Sequence, residues 1–312
     1  MDDPQPAQDY RLFGWRLRAS RPLAFLRPLP ASPGLGSDKP AEVELVFDQV
    51  EKPTDKPIFS SRFTSIYESG LILLFRPEGI RIRIEDGRRL TVDVDPGVTD
   101  AELHTWLFGP ALMMLCHQRK QPPLHACVVD IGGTAIAIAG NGGAGKSTSA
   151  RTLIERGHRL LTDDQARIVP DSRLVYPGYP TMKLWGHSAT AFGERVDAAR
   201  RVKRGVDKFL IPLNDAFQPE AMPLAAVVVL LPDPSLSLPM LAPAPSVTEA
   251  IALLHRQVAG LGIARVLDQG RAAFHWASAL AQRVPVRLLM RPEDAARRNE
   301  VCDVIESLAR TA

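Results

Sequence analysis

Short runs of alternating apolar and polar residues fill the first third of the chain. Four runs, YRLFGWRLRAS, EVELVFDQV, LILLF and GIRIRIEDGRRLTVDVD, are separated by turn-forming residues, and Asp86-Gly87 divides the last run into two alternating segments. Alternation with a period of two is typical of half-buried strands, and Asp-Gly between two such segments is a hairpin signal. The pattern predicts a small β-rich domain at the N-terminus.

The apolar period lengthens after residue 98. Thr99 and Glu102 have the spacing of a capping box, and the apolar residues of AELHTWLFGPALMMLCHQRK then recur at helical intervals. Pro122 and Pro123 follow this segment, and proline cannot continue a helix. We therefore predict a bridging helix that closes a β-rich N-terminal domain of residues 1–120.

Strands and helices alternate from residue 124 onward. HACVVDI and TAIAIAG flank Gly132-Gly133 and predict two strands joined by a tight turn; SARTLIER then predicts a helix, and RLLTDD a further strand. This strand–loop–helix–strand order is that of a βαβ unit and implies parallel pairing. AAVVVLLP, VPVRLLM and a second capping box at Ser246 and Glu249 extend the pattern to the end of the chain. The predicted fold class is α/β, with a second domain at 121–312.

Composition excludes several classes of protein. The 312 residues are 45% hydrophobic and 23% charged, with a formal net charge of +3, so the chain as a whole is not a polyelectrolyte that binds nucleic acid. The three cysteines form no CxxC pair, which favours a reducing cytoplasm over a disulfide framework or a structural zinc site. No apolar run approaches the ~20 residues of a membrane span, and the sequence predicts neither nucleic-acid nor membrane partners.

GNGGAGKST, between the strand TAIAIA and the following helix, is the strongest chemical signal. Its first eight residues fit G-x-x-x-x-G-K-[ST], in which glycines let backbone N–H groups point at an anion and the helix adds its positive dipole end. Lys146 is expected to reach the β- and γ-phosphates, and the Ser147 hydroxyl to bind Mg²⁺. The predicted nucleotide-binding residues are Gly140, Asn141, Gly142, Gly143, Ala144, Gly145, Lys146, Ser147 and Thr148.

Asp163 and Asp164 end the strand RLLTDD. In a parallel arrangement the carboxyl end of that strand lies beside the phosphate loop, where one carboxylate can hold Mg²⁺. A second carboxylate there can take the proton of an attacking hydroxyl. The alternative is an ordinary aspartate turn, or one metal-binding aspartate with a bystander.

The run HACVVDIGGTAIAIAGNGGAGKSTSARTLIERGHRLLTDD resembles the core of the HPr kinase/phosphorylase family, whose catalytic domain has a PEP-carboxykinase-like P-loop fold. The shared features are His125 at the start of the first strand, the phosphate loop, the phrase RGHRLLTDD and the double aspartate. The resemblance is clear over about 40 residues and looser from residue 124 to the C-terminus.

The resemblance implies an ATP- and Mg²⁺-dependent kinase that phosphorylates a serine hydroxyl of a protein or peptide. It implies Asp163 as the base, Asp164 as the Mg²⁺ residue beside Ser147, and His125 close to the reacting phosphate. His125 taken alone is better explained as a structural histidine at the start of a strand, and only the resemblance favours a functional role. The HPr enzymes assemble as homo-oligomers, which leaves a homo-oligomer open here.

The chain also departs from the family pattern. The acidic segment that supplies a further metal ligand after the double aspartate is absent: YPGYPTMKLW stands near that place without a carboxylate. The phosphorylase signature is not found, and the N-terminal half differs. The chain looks more similar to kinase-only relatives found beside peptide-modification genes, including kinases of lasso-peptide precursors, and HPr itself is not the expected substrate.

A basic segment, ERVDAARRVKRGVDK, is expected to supply positive charge to the transferred phosphoryl group. Lys208 and Arg204 are the predicted contributors, against the alternative of a solvated surface. Tyr176, Tyr179 and Trp185 are interpreted as packing residues in preference to pocket residues.

Our hypothesis is thus a kinase for a serine on a protein or ribosomal peptide. One alternative is a small-molecule kinase with the same core, which would add no phosphate to a peptide. The other is a regulatory ATP-binding switch, which would hydrolyse ATP without an acceptor.

Overall fold

The computed structural model describes residues 6–29 and 41–310. Within them, one eight-stranded sheet is formed by the N-terminal third, and a second sheet by residues between 126 and 291. The first sheet has the order β1-β2-β3-β8-β7-β6-β5-β4 and is antiparallel except where β3 pairs with β2 and β8. Its strands are β1 (Gln8–Leu12), β2 (Trp15–Ala19), β3 (Val43–Phe47), β4 (Phe59–Ser60), β5 (Thr64–Ile66), β6 (Ile72–Arg76), β7 (Ile80–Glu85) and β8 (Arg89–Val94).

The predicted hairpin at Asp86-Gly87 is confirmed. β7 and β8 pair antiparallel up to Glu85 and Arg89. Asp86 and Gly87 have φ angles of 52° and 63°, which suits the tight turns that match the twist of paired strands.

The predicted bridging helix is also present, with an irregular middle. It consists of α1 (Asp100–Trp106), a π-helical turn (Leu107–Ala111) that contains Pro110, and α2 (Leu112–Gln118). The side chain of Thr99 accepts from the N–H of Glu102, and the Glu102 carboxylate accepts from the N–H of Thr99, which confirms the capping box. Apolar residues of the helix pack on the first sheet in one core.

The second sheet has the order β11-β9-β10-β16-β13-β12, with β18 also beside β16 and β17 beside β18. Two further strands, β14 and β15, form a separate antiparallel pair. The strands are β9 (Ala126–Ile131), β10 (Thr134–Ala139), β11 (Arg159–Thr162), β12 (Arg167–Val169), β13 (Leu174–Tyr176), β14 (Thr181–Trp185), β15 (Lys208–Pro212), β16 (Met222–Pro232), β17 (Met240–Leu241) and β18 (Val286–Arg291).

The predicted direct parallel pairing of β10 with β11 is wrong. The tight turn at Gly132-Gly133 folds β9 antiparallel against β10, and β11 pairs antiparallel with the other edge of β9. β10 and β11 therefore run in the same direction with β9 between them. Their carboxyl ends still meet at one edge of the sheet, which is the feature that positions the site.

Helices cover both faces of this sheet. α3 and α8 pack on one face, and α5, α6 and α7 on the other. The capping box at Ser246 and Glu249 is confirmed. The sheets and helices confirm the mixed α/β class with a β-rich N-terminal part, while the boundary between residues 120 and 121 stays a proposal. The helices are α3 (Lys146–Glu155), α4 (Gly186–Ala191), α5 (Val247–Arg256), α6 (Leu261–Asp268), α7 (Arg271–Ala281) and α8 (Arg298–Arg310), with 3₁₀ turns at Ala198–Arg200 and Ala295–Arg297.

None of the helices in the described ranges is both long and apolar enough to span a membrane.

Candidate active site

The glycine-rich loop connects the end of β10 to the start of α3. Gly145 caps α3 with a φ of 96°, and Gly140 has a φ of 142°. A side chain at Gly140 would place its Cβ 2.9 Å from the carbonyl oxygen of Leu230 in β16. Glycine is thus required at this turn by both conformation and space.

Lys146 lies over the loop that precedes it. Its Nζ donates to the carbonyl oxygens of Gly140 at 2.7 Å and Asn141 at 3.2 Å. Burial lowers the pKa of this ammonium group. The only positive charge of the loop is therefore held where the loop N–H groups and the start of α3 converge.

Asp163 is enclosed and fully hydrogen-bonded. The residue is 1% exposed. Oδ1 accepts from Ser147 Oγ at 3.2 Å and from Cys127 Sγ at 2.9 Å, and Oδ2 accepts from the N–H of Lys183 at 2.8 Å. Burial and the neighbouring carboxylate raise the pKa of the Cys127 thiol well above its ordinary value, so Cys127 remains a donor to Asp163.

Asp164 is adjacent in sequence but lies at the cleft, in a left-handed backbone conformation with φ of 70°. Its Oδ2 is 2.9 Å from Lys183 Nζ, and its Oδ1 is 3.3 Å from His125 Nδ1. His125 Nδ1 also lies 2.8 Å from the carbonyl oxygen of Asp164. Because a carbonyl can only accept, Nδ1 of His125 carries the proton.

Opposing effects set the pKa of this carboxyl group. Burial by itself would raise the pKa of Asp164, but the charges of Lys183 and His125 outweigh it and hold the pKa below its ordinary value. Burial would lower the pKa of Lys183, and Asp164 outweighs that effect and raises it. The pair is therefore a carboxylate and an ammonium ion near neutral pH.

Asp164, Lys183 and His125 border a cleft of about 480 Å³. Trp185 lines this cleft and is 49% exposed, so the interpretation of Trp185 as a packing residue is wrong. Tyr179 is fully buried, as expected of a packing residue. Besides loop residues and α3, the lining includes His125, Asp164, Lys183, Trp185, Lys208 and Arg291.

The two basic residues predicted from the 194–208 segment are in different places. Lys208 lies at the cleft, with its Nζ 5.7 Å from the centre of the Trp185 ring. Arg204 is exposed, donates to the carbonyl oxygen of Gly97 at 3.0 Å and lies 3.4 Å from Glu102. It does not line the cleft, because the turn that carries it packs on the cap of α1.

Sequence reasoning missed four residues of the site. Lys183 is 6% exposed in its side chain, and the signal was a single charge in the apolar strand TMKLW. Arg291, at the end of β18, donates to the carbonyl oxygen of Ala144 at 2.7 Å. Gln257 accepts from the N–H of Gly140 at 3.1 Å, and Cys127 contacts Asp163. Arg291 and Gln257 come from distant segments, and Cys127 is an apolar-looking position in β9; none of the three gives a local signal.

The site fits a magnesium nucleotide. Mg²⁺ is usually held by one or two carboxylates together with substrate phosphates and water. Ser147 and Asp163 offer two oxygens 3.2 Å apart at the start of α3. The described ranges contain no group of three or more His, Cys, Asp or Glu residues that could hold a metal by itself.

Comparison with known proteins identifies a matching segment. Residues 117–184 match the family model for the HPr Serine kinase C-terminal domain. This segment contains β9, the phosphate loop, α3, β11 and both aspartates, which are the elements that form the site.

Curated proteins named HPr kinase/phosphorylase match shorter stretches of the chain. HPr kinase/phosphorylase of Shouchella clausii is 42% identical over 57 residues, which are 18% of this chain and 18% of that protein. The Clostridium botulinum protein of the same name is 53% identical over 45 residues, 14% of this chain and 15% of that protein. The Enterococcus faecalis protein is 40% identical over 57 residues, 18% of each. The chain thus matches less than a fifth of the length of these relatives.

One solved structure, the HPr(Ser) kinase/phosphatase from Coxiella burnetii, aligns with 61% of this chain and 94% of its own, at 16% identity and a TM-score of 0.31. The family match is carried by the sequence of residues 117–184. Over that segment, which holds the phosphate loop and the paired aspartates, the chain is HPr kinase-like, as its resemblance predicted.

Proposed function

We propose that the protein is an ATP- and Mg²⁺-dependent kinase that transfers the γ-phosphate to a serine hydroxyl of a protein or ribosomal peptide. The observation that carries the proposal is the arrangement of two aspartates behind a phosphate loop. Asp163 hydrogen-bonds to Ser147 of the loop at 3.2 Å, and Asp164 lies at the cleft. An ATPase switch uses a residue that positions the attacking water, and it does not need this second carboxylate.

Residues 140–148 would hold the phosphates of ATP through backbone N–H groups, and Lys146 would pair with their charge. Ser147 and Asp163 would hold Mg²⁺. When bound, Mg²⁺ neutralises charge on the phosphate oxygens. Arg291 would stabilise the loop, since its guanidinium bonds a loop carbonyl.

The roles first assigned to the two aspartates are exchanged in this proposal. Asp163 is enclosed and bonded to the loop serine, which suits a metal carboxylate. Asp164 lies at the cleft between His125 and Lys183, which suits the group that accepts the hydroxyl proton. A low pKa keeps Asp164 ionised, and phosphoryl transfer depends more on positioning than on a strong base.

Positive charge at the cleft would come from Lys208 and Lys183. Both line the cleft together with Asp164, and in this proposal they would lie beside the transferred group. Arg204 is left out because it is directed to Glu102 and Gly97. Cations aimed at the developing charge of a phosphoryl group stabilise its transition state.

The acceptor class is inferred from the resemblance to kinase-only relatives. The HPr kinase/phosphorylases named above act, by name, on HPr, but the N-terminal half of this chain differs. A lasso-peptide precursor is one example of the peptide that we propose. A homo-oligomer and a cytoplasmic location remain predictions, which light scattering and fractionation would test.

Mass spectrometry tests the function directly. Purified protein is incubated with Mg-ATP and the peptides encoded beside its gene, and a Lys146→Ala variant serves as the control. We expect one phosphate on a serine with the wild-type protein only. Steady ATP hydrolysis with every peptide unmodified would contradict the proposal and favour the switch, and phosphate on a small alcohol alone would favour the small-molecule kinase.

A further inference from the structure

A second cavity, of about 300 Å³, adjoins the nucleotide cleft. The two share four lining residues and no others. The phosphate loop lines only the nucleotide cleft, whereas the bridging helix and a turn at residues 259–260 line only the second cavity. The shared residues are His125, Asp164, Lys183 and Lys208.

The bridging helix forms one wall of the second cavity through its π-helical turn. Thr105, Gly109, Pro110 and Met113 line it. Single π-helical turns inside α-helices are frequent at functional sites. Here the turn places residues of the N-terminal third within the same cavity as Asp164.

The opposite wall is fixed to this helix. His117 Nε2 lies 2.7 Å from the carbonyl oxygen of Ala259. Gly260, with φ of 73°, packs directly on Met113 and leaves no space for a side chain. The cavity is therefore a built feature of the fold.

A buried polar atom lies in the wall. Gln165 donates from Nε2 to the carbonyl oxygen of Gly109 at 2.7 Å. Its Oε1 is buried and has no hydrogen-bond partner within the described part of the chain. A buried acceptor without a partner costs about 1–3 kcal/mol, and a bound group with an N–H could remove that cost.

We infer that this cavity is the acceptor site and that it receives the serine-bearing segment of an extended peptide. The inference rests on the proposed function and adds where the acceptor binds. About 300 Å³ is at the lower limit of ligand pockets, so a short segment fits and a folded domain does not. Pro110, Met113 and Val202 give it apolar walls.

Because Asp164 lines both cavities, it can accept the proton of the serine hydroxyl while the phosphoryl group moves from ATP to the serine. As the serine Oγ bonds to the γ-phosphorus, its proton passes to the Asp164 carboxylate. The bond from the γ-phosphorus to the β–γ bridging oxygen breaks, and its electron pair leaves with ADP. Lys183 and Lys208 flank this path.

The first test blocks the cavity at a residue outside the nucleotide cleft. A panel of synthetic peptides, each with one serine, is screened with wild-type protein and Mg-ATP, and the best substrate is used to compare variants. For Met113→Trp we expect KM for the peptide to rise at least ~10-fold, a loss equivalent to about 1.4 kcal/mol. The Kd for a non-hydrolysable ATP analogue should stay unchanged and thereby report an intact fold.

Met240→Trp is the matched control, because Met240 is exposed on β17 and lines neither cavity. We expect wild-type kinetics from it. An unchanged KM for the peptide in Met113→Trp would overturn the acceptor site. Wild-type protein that phosphorylates none of the peptides would instead contradict the proposed function, and the acceptor site with it.

A second test does not depend on turnover. All three native cysteines are buried, so the thiol introduced by Thr105→Cys should alkylate fastest. We expect the substrate peptide, added with the ATP analogue, to slow its alkylation at least several-fold, and the analogue alone to have little effect. A phosphorylated peptide that gives no protection would place the acceptor elsewhere.

Discussion

Asp163 and Asp164 share one side-chain chemistry and differ in their contacts. Asp163 accepts three hydrogen bonds, one of them from the phosphate loop. Asp164 is paired with Lys183 and His125 at the junction of two cavities. Two consecutive residues after β11, the second with a left-handed φ, thus provide the carboxylate that we propose for Mg²⁺ and the carboxylate that we propose as the proton acceptor.

Asparagine at each position should separate these roles. Asp164→Asn should lower kcat by about 10²–10⁴, the usual contribution of a general base, with little change in Mg-ATP affinity. Asp163→Asn should weaken the Mg²⁺-dependent part of ATP binding. Calorimetric titration of an ATP analogue with and without Mg²⁺, beside rates of peptide phosphorylation, measures both. Equal losses of Mg-ATP affinity in the two variants would contradict the assignment.

Removal of the Lys183 charge should change the pH dependence of activity. Lys183→Met takes away the cation that holds the pKa of Asp164 down, so that pKa rises. Since the proposed base works as a carboxylate, the acid limb of kcat against pH should shift to higher pH. Rates measured across the acid range decide the point, and an unshifted limb would show that another group titrates.

The same variant should lose stability, by about 1–3 kcal/mol at neutral pH. The lowered pKa of Asp164 contributes stability above the ordinary carboxyl pKa, which is lost as pH falls through the folded value. The raised pKa of Lys183 contributes stability that is fully present below the ordinary lysine pKa of ~10.5. This stability is lost as pH rises from there through the folded pKa. The difference in Tm from wild type should therefore be largest between about pH 5 and 10. Lys203→Met, at a partly exposed lysine, is the control.

At the scale of the element, the phosphate loop depends on how closely β16 approaches it. Gly140 has no space for a side chain beside Leu230, whereas Gly142 has open space around it. One loop thus contains a position where glycine is required by packing and a position where it is not.

Gly140→Ala should destabilise the protein by about 1–3 kcal/mol, the range of strained backbone positions, and weaken ATP binding. Gly142→Ala in the same loop should leave the free energy of unfolding within about 0.5 kcal/mol of wild type. Urea unfolding measures both. If the two variants were equally stable, the close approach to β16 would not constrain the loop.

Local patterns predicted most elements, because their signals are local. The Asp86-Gly87 turn, the capping boxes at Thr99 and Ser246, and the loop glycines each specify the conformation of a few residues. The order of strand, loop and helix also predicted that the double aspartate would end near the loop.

Local sequence patterns could not predict which strands pair or which distant residues come into contact. β9 lies between β10 and β11 because a hairpin precedes the βαβ-like unit, and periodicity does not report which strands are neighbours. Lys183, Gln257 and Arg291 reach the site from separate segments. The junction of two cavities depends on how the bridging helix packs, which no local pattern specifies.

At the scale of the molecule, Arg167 connects the two sheets. From β12 its guanidinium donates to the carbonyl oxygen of Phe13 at 2.8 Å and lies 4.9 Å from the Trp15 ring centre and 4.5 Å from that of Tyr176. Burial lowers the pKa of Arg167. A desolvated cation between two rings stabilises more than an exposed one.

Arg167→Met should lower the free energy of unfolding by about 1–3 kcal/mol, because it removes a charged hydrogen bond and these ring contacts. Calorimetry should also show the two sheets unfolding less cooperatively. Arg62→Met is the matched control, since Arg62 lies 5.0 Å from the Phe63 ring centre and is exposed. Equal effects in the two variants would mean that Arg167 does not couple the sheets.

The exposed ring of Trp185 has a practical consequence. The chain has four tryptophans; Trp15 and Trp276 are buried, Trp106 is half-buried against Arg76, and Trp185 alone of the four is exposed at the nucleotide cleft. A nucleotide in that cleft would change the solvent and charge around one indole. Trp185 would therefore serve as an intrinsic fluorophore for following the proposed nucleotide binding in real time, without a label, and Trp185→Phe would be the control that lacks this signal.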